Sequence, residues 1–264
     1  MRAVLLCAGQ GTRLRPFTDD RPKCLVELLG APLLGHQFDS LSACGLDDVT
    51  LVTGYAADRL EGWGTRRLHN SRFATTNMVE SLFCARELFD GSQDLIVGYS
   101  DIVYEPRVLQ SLIDAPGPAA TAIDRDWRAL WSARMDDPLS DAETLRLNSD
   151  GTLREIGRKP RGYDEIEGQY VGLTRFAAAA QREVLAFYDG LDRDAAYDGR
   201  EFGQMFMTRF LTGLIETGLP ITAAMTDGGW LEVDTVQDLE FYEAMHARGE
   251  LAAFWRPHES RRKG

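Results

Sequence analysis

The residues best suited to chemistry cluster at the head of the chain, in MRAVLLCAGQGTRLRPFTDDRPKCL. Gly9 and Gly11 let backbone N–H groups crowd an anion. Thr12, Arg13, Arg15 and, after Pro22, Lys23 follow, so positive charge gathers at the same place. The combination suits phosphate. Two generic phosphate loops are excluded. A P-loop needs Gly-Lys followed by Ser or Thr, and a dinucleotide fingerprint needs a third glycine opening a helix, where this chain has Arg13 to Pro16. A solvated surface turn would need neither the preceding apolar run nor Arg-Pro-Lys beyond it.

Two aspartates join this loop. Asp101 follows the apolar run 95–98, and Asp234 follows the short strand pattern of Trp-Leu-Glu-Val. An acid at the edge of a buried sheet is costly without a partner, and a Mg2+ bound to nucleotide phosphates would supply one; a helix cap or a solvated turn is the plain alternative. The four histidines, His36, His69, His246 and His258, stand beside no convincing serine or cysteine nucleophile.

Elements must carry these groups to one place. The segments 3–8, 49–53, 95–98, 119–123, 169–176 and 220–225 read as core strands, with 66–69 as a short edge strand. Helices are expected from Pro32 to near Gly45, at 56–62, from Asn77, at 106–114, 178–188 and 202–217, and from Thr235. Tyr55 sits just past the second strand, where open α/β sheets place ligand contacts. Asn77 and Glu80 have the spacing of a capping box, as do Thr235 and Asp238. The segment 124–168, rich in acids and aromatics, reads as a β-rich insertion or lid. The fold class is therefore α/β, a mixed, mainly parallel sheet between helices.

With 264 residues, 44% of them hydrophobic, the chain can bury a substantial core. A single domain over 1–254 is expected, with 255–264 as a mobile basic tail. The formal charge of −12, from 41 acids against 29 Lys and Arg, argues against a nucleic-acid partner. Cys7, Cys24, Cys44 and Cys84 form no CxxC pair, which argues against zinc and a disulfide framework. No run approaches a membrane span or a signal-peptide core, so a cytoplasmic location is expected.

The pattern GxGTRxxP followed by RPK resembles the signature of nucleotidyltransferases that activate sugar phosphates and small alcohol phosphates. NMVESL, DWRALW, DPLSDAET, EIGRKP, GQYVGL and GGWLEVDTVQDL together resemble the phosphonate branch related to phosphocholine cytidylyltransferases. The resemblance implies a Rossmann-like fold and attack by a phosphate or phosphonate oxygen on the α-phosphorus of CTP, with release of pyrophosphate and dependence on Mg2+. It implies that Arg13 grips the β and γ phosphates, that Lys23 meets the α-phosphoryl group, and that Asp101 and Asp234 hold the metal. Leu6, Ala8, Gly9, Gly11 and Thr12 would receive the nucleotide, aided by Tyr55, Asn77 and Ser100.

The same resemblance matches Lys159 to a lysine that meets the acceptor phosphate, although Arg158 stands where relatives usually carry Glu. For the rest of the acceptor, three chemistries stay open. Trp127, Trp131, Tyr170 and Trp230 would cage a quaternary ammonium, as in phosphocholine. Asp136, Asp137, Asp141 and Glu143 would meet a primary amine, as in 2-aminoethylphosphonate. Arg128, Arg134 and Arg158 would meet a carboxylate, as in a phosphonoformate-like acceptor. A sugar-1-phosphate nucleotidyltransferase shares the head of the chain but not NMVESL or the aromatic segment. A catalytically silent nucleotide-sensing subunit would not need the cationic loop together with both aspartates.

Overall fold

The computed structural model describes residues 1–258. Strand β1, Arg2–Cys7, is buried along its whole length, so it must be covered on both faces. Ala3, Leu5 and Cys7 enter one apolar cluster and Val4 and Leu6 the other, the alternation that a strand imposes. The chain continues through β2 Glu27–Leu28, β3 Ala31–Pro32, α1 Leu33–Ala43, β4 Val49–Thr53, β5 Arg66–His69, α2 Met78–Phe83, β6 Leu95–Tyr99, β7 Ile102–Tyr104 and α3 Pro106–Asp114. Next come β8 Ala119–Asp124, α4 Trp127–Arg134, β9 Leu145–Leu147, β10 Leu153–Ile156, β11 Gln169–Phe176 and α5 Gln181–Gly190. The described chain closes with β12 Ala196–Tyr197, β13 Arg200–Glu201, α6 Met207–Glu216, β14 Ile221–Thr226, β15 Trp230–Glu232 and α7 Val236–Ala247.

A seven-stranded sheet has the order β14-β8-β11-β6-β1-β4-β5. Its neighbours are parallel except that β11 runs antiparallel to β6 and β8. This is the mixed, mainly parallel, Rossmann-like sheet expected. Leu34 of α1, Leu109 of α3 and Tyr242 of α7 fill the first cluster, whereas Leu82 of α2, Val184 of α5 and Phe210 of α6 fill the second. Helices therefore cover both faces. Among the described residues no helix is long and apolar enough to cross a membrane, and all four cysteines are free thiols.

Three local expectations are corrected. The segment 124–168 opens with helix α4, and its paired strands are the hairpin β9–β10. Trp127, Leu130 and Trp131 pack inward at helical spacing, and that periodicity outweighs the strand preference of the aromatic rings. Asn77 caps α2 by accepting from the Met78 N–H, but Glu80 closes no capping box; it turns into the core to meet Tyr188 and Arg72. Trp255, assigned from sequence to a mobile tail, is buried edge-on against His36. Residues 259–264 of that basic tail lie outside the described residues.

The antiparallel strand carries one point that only glycine fits. Pairing of β11 with β8 slips between Tyr170 and Thr174, and Gly172, in that gap, has φ +91. A Cβ there would stand 2.9 Å from Tyr99 Cδ2. Gly172→Ala is expected to lower stability by about 1–3 kcal/mol, read as a fall in the urea midpoint at an unchanged denaturant slope.

Candidate active site

Parallel β1, β4 and β6 end at the same sheet edge, and the loops they release form the site. After β1 the chain turns through Gly9 and Gly11, makes a short 3-10 turn at Thr12–Leu14 anchored by the buried Leu14, and returns at Lys23. Gly11 has φ +68, and a Cβ on it would lie 2.8 Å from Lys23 Cβ. Its bare backbone lets the lysine stem pass. Lys23 is 8% exposed, and its Nζ donates to Asp101 Oδ2 at 2.8 Å and to Asp234 Oδ1 at 2.5 Å. Arg13 pairs with the other oxygen of Asp234. Burial disfavours the Lys23 charge, but Asp101, Asp234 and Glu232 outweigh it and raise the ammonium pKa above its usual range.

The two aspartates meet through a small antiparallel ladder. Asp101 lies between β6 and β7, and β15 pairs with β7. The Val233 N–H donates to Asp101 O at 2.9 Å. Asp234 is thereby set beside Asp101. Among the described residues no three His, Cys, Asp or Glu side chains cluster to hold a metal alone. Asp101 and Asp234 nevertheless offer hard carboxylate oxygens, and Asp101 Oδ1 is buried without a hydrogen-bond partner. That donor set fits Mg2+, which takes one or two carboxylates and completes its shell with water and substrate phosphate.

Two cavities share Met78 and Tyr99 as a common wall. Leu6, Ala8, Gly9, Asn77 and Ser100 line the first, of about 140 Å3, together with Lys23 and Asp101. Ser100 Oγ donates to Leu6 O at 2.7 Å and so locks β6 to β1 at this edge. Of the other nucleotide candidates, Gly11 and Thr12 do not line it. Nor does Tyr55, whose hydroxyl donates to Asp19 O at 2.7 Å and braces the cationic loop.

The second cavity, of about 290 Å3, is lined by Trp131, Tyr170 and Trp230 with Arg13, Asp141, Glu143, Glu232 and Asp234. Trp131 and Trp230 lie 5.8 Å apart; their indole N–H groups donate to Asp141 Oδ2 at 3.1 Å and to Asp124 Oδ2 at 2.9 Å. Burial, then Asp141 and Asp198, pushes the Glu143 carboxyl up to about 7. Burial, then Asp101, pushes Glu232 up to about 8, with Arg134 and Lys23 opposing.

Lys159 and Arg128 lie outside both cavities. Lys159 donates to the carbonyls of Leu139 and Ser140 at 2.5 and 2.6 Å, and the Arg128 guanidinium stacks 3.8 Å over Tyr163. Trp127 is also away from the second cavity, as are Asp136, Asp137 and Arg158. Sequence reasoning missed Glu232, although its place at the end of a strand, two residues before Asp234, was a usable signal.

Residues 3–166 match the MobA-like NTP transferase domain. The chain belongs to that family. It is 41% identical over 249 residues to the CTP:phosphoglutamine cytidylyltransferase of Campylobacter jejuni, covering 91% of this chain and 98% of that one. It is 38% identical over 253 residues to the CMP-5'-(3-aminopropyl)phosphonate synthase of Streptomyces rubellomurinus, covering 90% of this chain but 37% of that protein. Among solved structures, the CTP:phosphocholine cytidylyltransferase from Streptococcus pneumoniae superposes with a TM-score of 0.69 at 22% identity, over 93% of this chain and 98% of that one. The inositol-1-phosphate CTP transferase from T. maritima gives 0.71 at 18% identity, over 97% of each. The latter two likenesses establish the fold. The chain is thus an enzyme, a nucleotidyltransferase of the cytidylyltransferase group, and the resemblance read from its motifs stands.

Removing the ammonium from between its carboxylates leaves two half-buried charges facing each other. Lys23→Met is expected to cost about 3–5 kcal/mol at pH 8. Thermal melts of the variant beside the wild type at that pH check it.

Proposed function

We propose that the enzyme transfers CMP from CTP to a small phosphate or phosphonate acceptor bearing an ammonium group, with release of pyrophosphate. The observation that carries this reading is Lys23, held between Asp101 and Asp234 where the two cavities adjoin. An acceptor oxygen attacks the α-phosphorus, a new P–O bond forms, and the bond to the β-phosphate breaks with its electron pair leaving on pyrophosphate. The attacking group is already an oxyanion, so no general base is required. What opposes reaction is repulsion, about 4 kcal/mol per pair of unit charges at ~4 Å and an effective dielectric near 20. Catalysis is therefore chiefly charge cancellation and alignment.

In this reading Lys23 holds the α-phosphoryl group and Arg13 turns from Asp234 to the leaving phosphates. A Mg2+ on Asp101 and Asp234 would neutralise triphosphate charge when bound. The first cavity takes base and ribose, with Asn77 and the backbone after β1 on its walls. CTP as donor is supported by the names of the related cytidylyltransferases.

The acceptor class follows from the second cavity. Asp141, Glu143, Glu232 and Asp234 line it against the single cation Arg13, with aromatic walls around them. Such a lining favours a cationic tail on the acceptor. A carboxylate with no ammonium beside it would have only Arg13 to meet there, in competition with the phosphates, because Arg128 stacks on Tyr163 and Arg134 is buried against Asp238. Phosphoglutamine, (3-aminopropyl)phosphonate and phosphocholine, the compounds in the relatives' names, each bear an amino or quaternary ammonium group.

Incubation with CTP, Mg2+ and each of these three compounds, alongside hexose 1-phosphates, should release pyrophosphate with at least one ammonium-bearing acceptor. Release only with a hexose 1-phosphate would replace this reading with the sugar-nucleotide one, and CTP binding with no release from any acceptor would favour a silent subunit. For the active acceptor, affinity should rise with pH through about 7 as Glu143 ionises beside Asp141 and Asp198. Glu143→Gln should flatten that component of the profile and raise KM about tenfold, the loss of one partly buried charge contact.

A further inference from the structure

One buried side chain joins the acceptor-side segment to the aspartate pair. Arg134 ends α4, and its side chain is 4% exposed. Its Nε and Nη2 both donate to Asp238 Oδ1, at 3.1 and 2.9 Å. The other oxygen of that carboxylate, Asp238 Oδ2, accepts from the backbone N–H of Asp234 at 3.1 Å and of Thr235 at 2.9 Å. One carboxylate therefore ties the guanidinium to the main chain that carries Asp234. The same guanidinium lies 5.4 Å from the Trp131 ring centroid. Its Nη1 stands 3.8 Å from Glu232 Oε2 and has no hydrogen-bond partner.

Helix capping does not account for this arrangement. Thr235 and Asp238 already form a complete capping box at the start of α7, and a buried guanidinium is costly to desolvate. We propose that Arg134 is a positioning residue that acts through Asp238 to fix Asp234 for the metal-bound triphosphate. Arg134 touches no reacting atom. Its effect is to hold the Asp234 main chain in register with Asp101 while bracing the Trp131 wall, so the two sides of the site keep one geometry.

The inference rests on the nucleotidyltransfer reading, and its test is separable because it needs no acceptor. CTP is titrated into the full chain by calorimetry over a series of Mg2+ concentrations. Arg134→Met is expected to raise the Mg2+ required for half-maximal CTP binding about tenfold, the usual scale for a group supporting a metal ligand, and Arg134→Lys to give a smaller shift. Asp238→Asn keeps an oxygen for the Asp234 and Thr235 N–H groups but loses the charge facing Arg134, and should give a shift similar to that of Arg134→Met. The double variant should be no worse than either single change, since both break one path. If Arg134→Met does not fold, Arg134→Lys and its combination with Asp238→Asn carry the test on the same terms. Shifts that multiply in the double variant, or wild-type Mg2+ dependence in the Arg134 variants, overturn the proposal. Failure of the wild-type protein to bind CTP at any Mg2+ concentration overturns the nucleotidyltransfer reading, and this inference with it.

Discussion

The site depends on a single ammonium held between two carboxylates that arrive from distant parts of the chain. Lys23 makes these contacts while almost wholly buried, where neither an unpaired lysine nor a pair of bare aspartates would be tolerated. Much of the local architecture follows from that constraint. Gly11 lacks the Cβ that would strike the lysine stem, the buried Leu14 pins the intervening loop, and the pairing of β15 with β7 sets Asp234 beside Asp101. The large sheet supplies the edge on which these loops rest.

Charge is then sorted over a short distance. The molecule carries a formal charge of −12, so an anionic substrate meets attraction only where cations are concentrated. Lys23 lines the first cavity and Arg13 the second, where Asp141, Glu143 and Glu232 face the aromatic walls. In the proposed reaction this gradient orients a zwitterion, with its phosphoryl end toward the cations and its ammonium end toward the acids. Such orientation is worth more than added affinity, because in-line displacement requires the acceptor oxygen to approach from one side.

The sequence was most legible where a strand is buried on both faces. The runs that became β1 and β6 are continuous and apolar because both core clusters claim their side chains. The cationic loop was legible for a different reason: glycine, arginine and lysine at fixed offsets have few other uses together. The meeting of Asp101 with Asp234 depends on strand pairing that no local pattern encodes, and only the motif resemblance pointed to it. Residues 124–134 were misread because aromatic rings suggested strands, although Trp127, Leu130, Trp131 and Arg134 follow the helical repeat. Lys159 is the opposite case. Only the motif resemblance pointed to it, and its ammonium is engaged by the Leu139 and Ser140 carbonyls away from either cavity.

The two cations of the loop also differ in a way that bears on how a triphosphate enters. The Lys23 side chain is 10% exposed and bonded to both aspartates, whereas that of Arg13 is 68% exposed and engages Asp234 alone. An exposed ion pair is worth little, so Arg13 can exchange its carboxylate for phosphate at small cost. Lys23 cannot leave without exposing two carboxylates to each other. In the proposed reaction the lysine is therefore the fixed point against which the α-phosphoryl group is aligned, and the arginine is the movable contact that follows the leaving pyrophosphate. Compensation of the aspartate freed by Arg13 must come from a cation that arrives with the nucleotide, and a triphosphate that carries its own divalent ion meets that demand without unpicking the lysine.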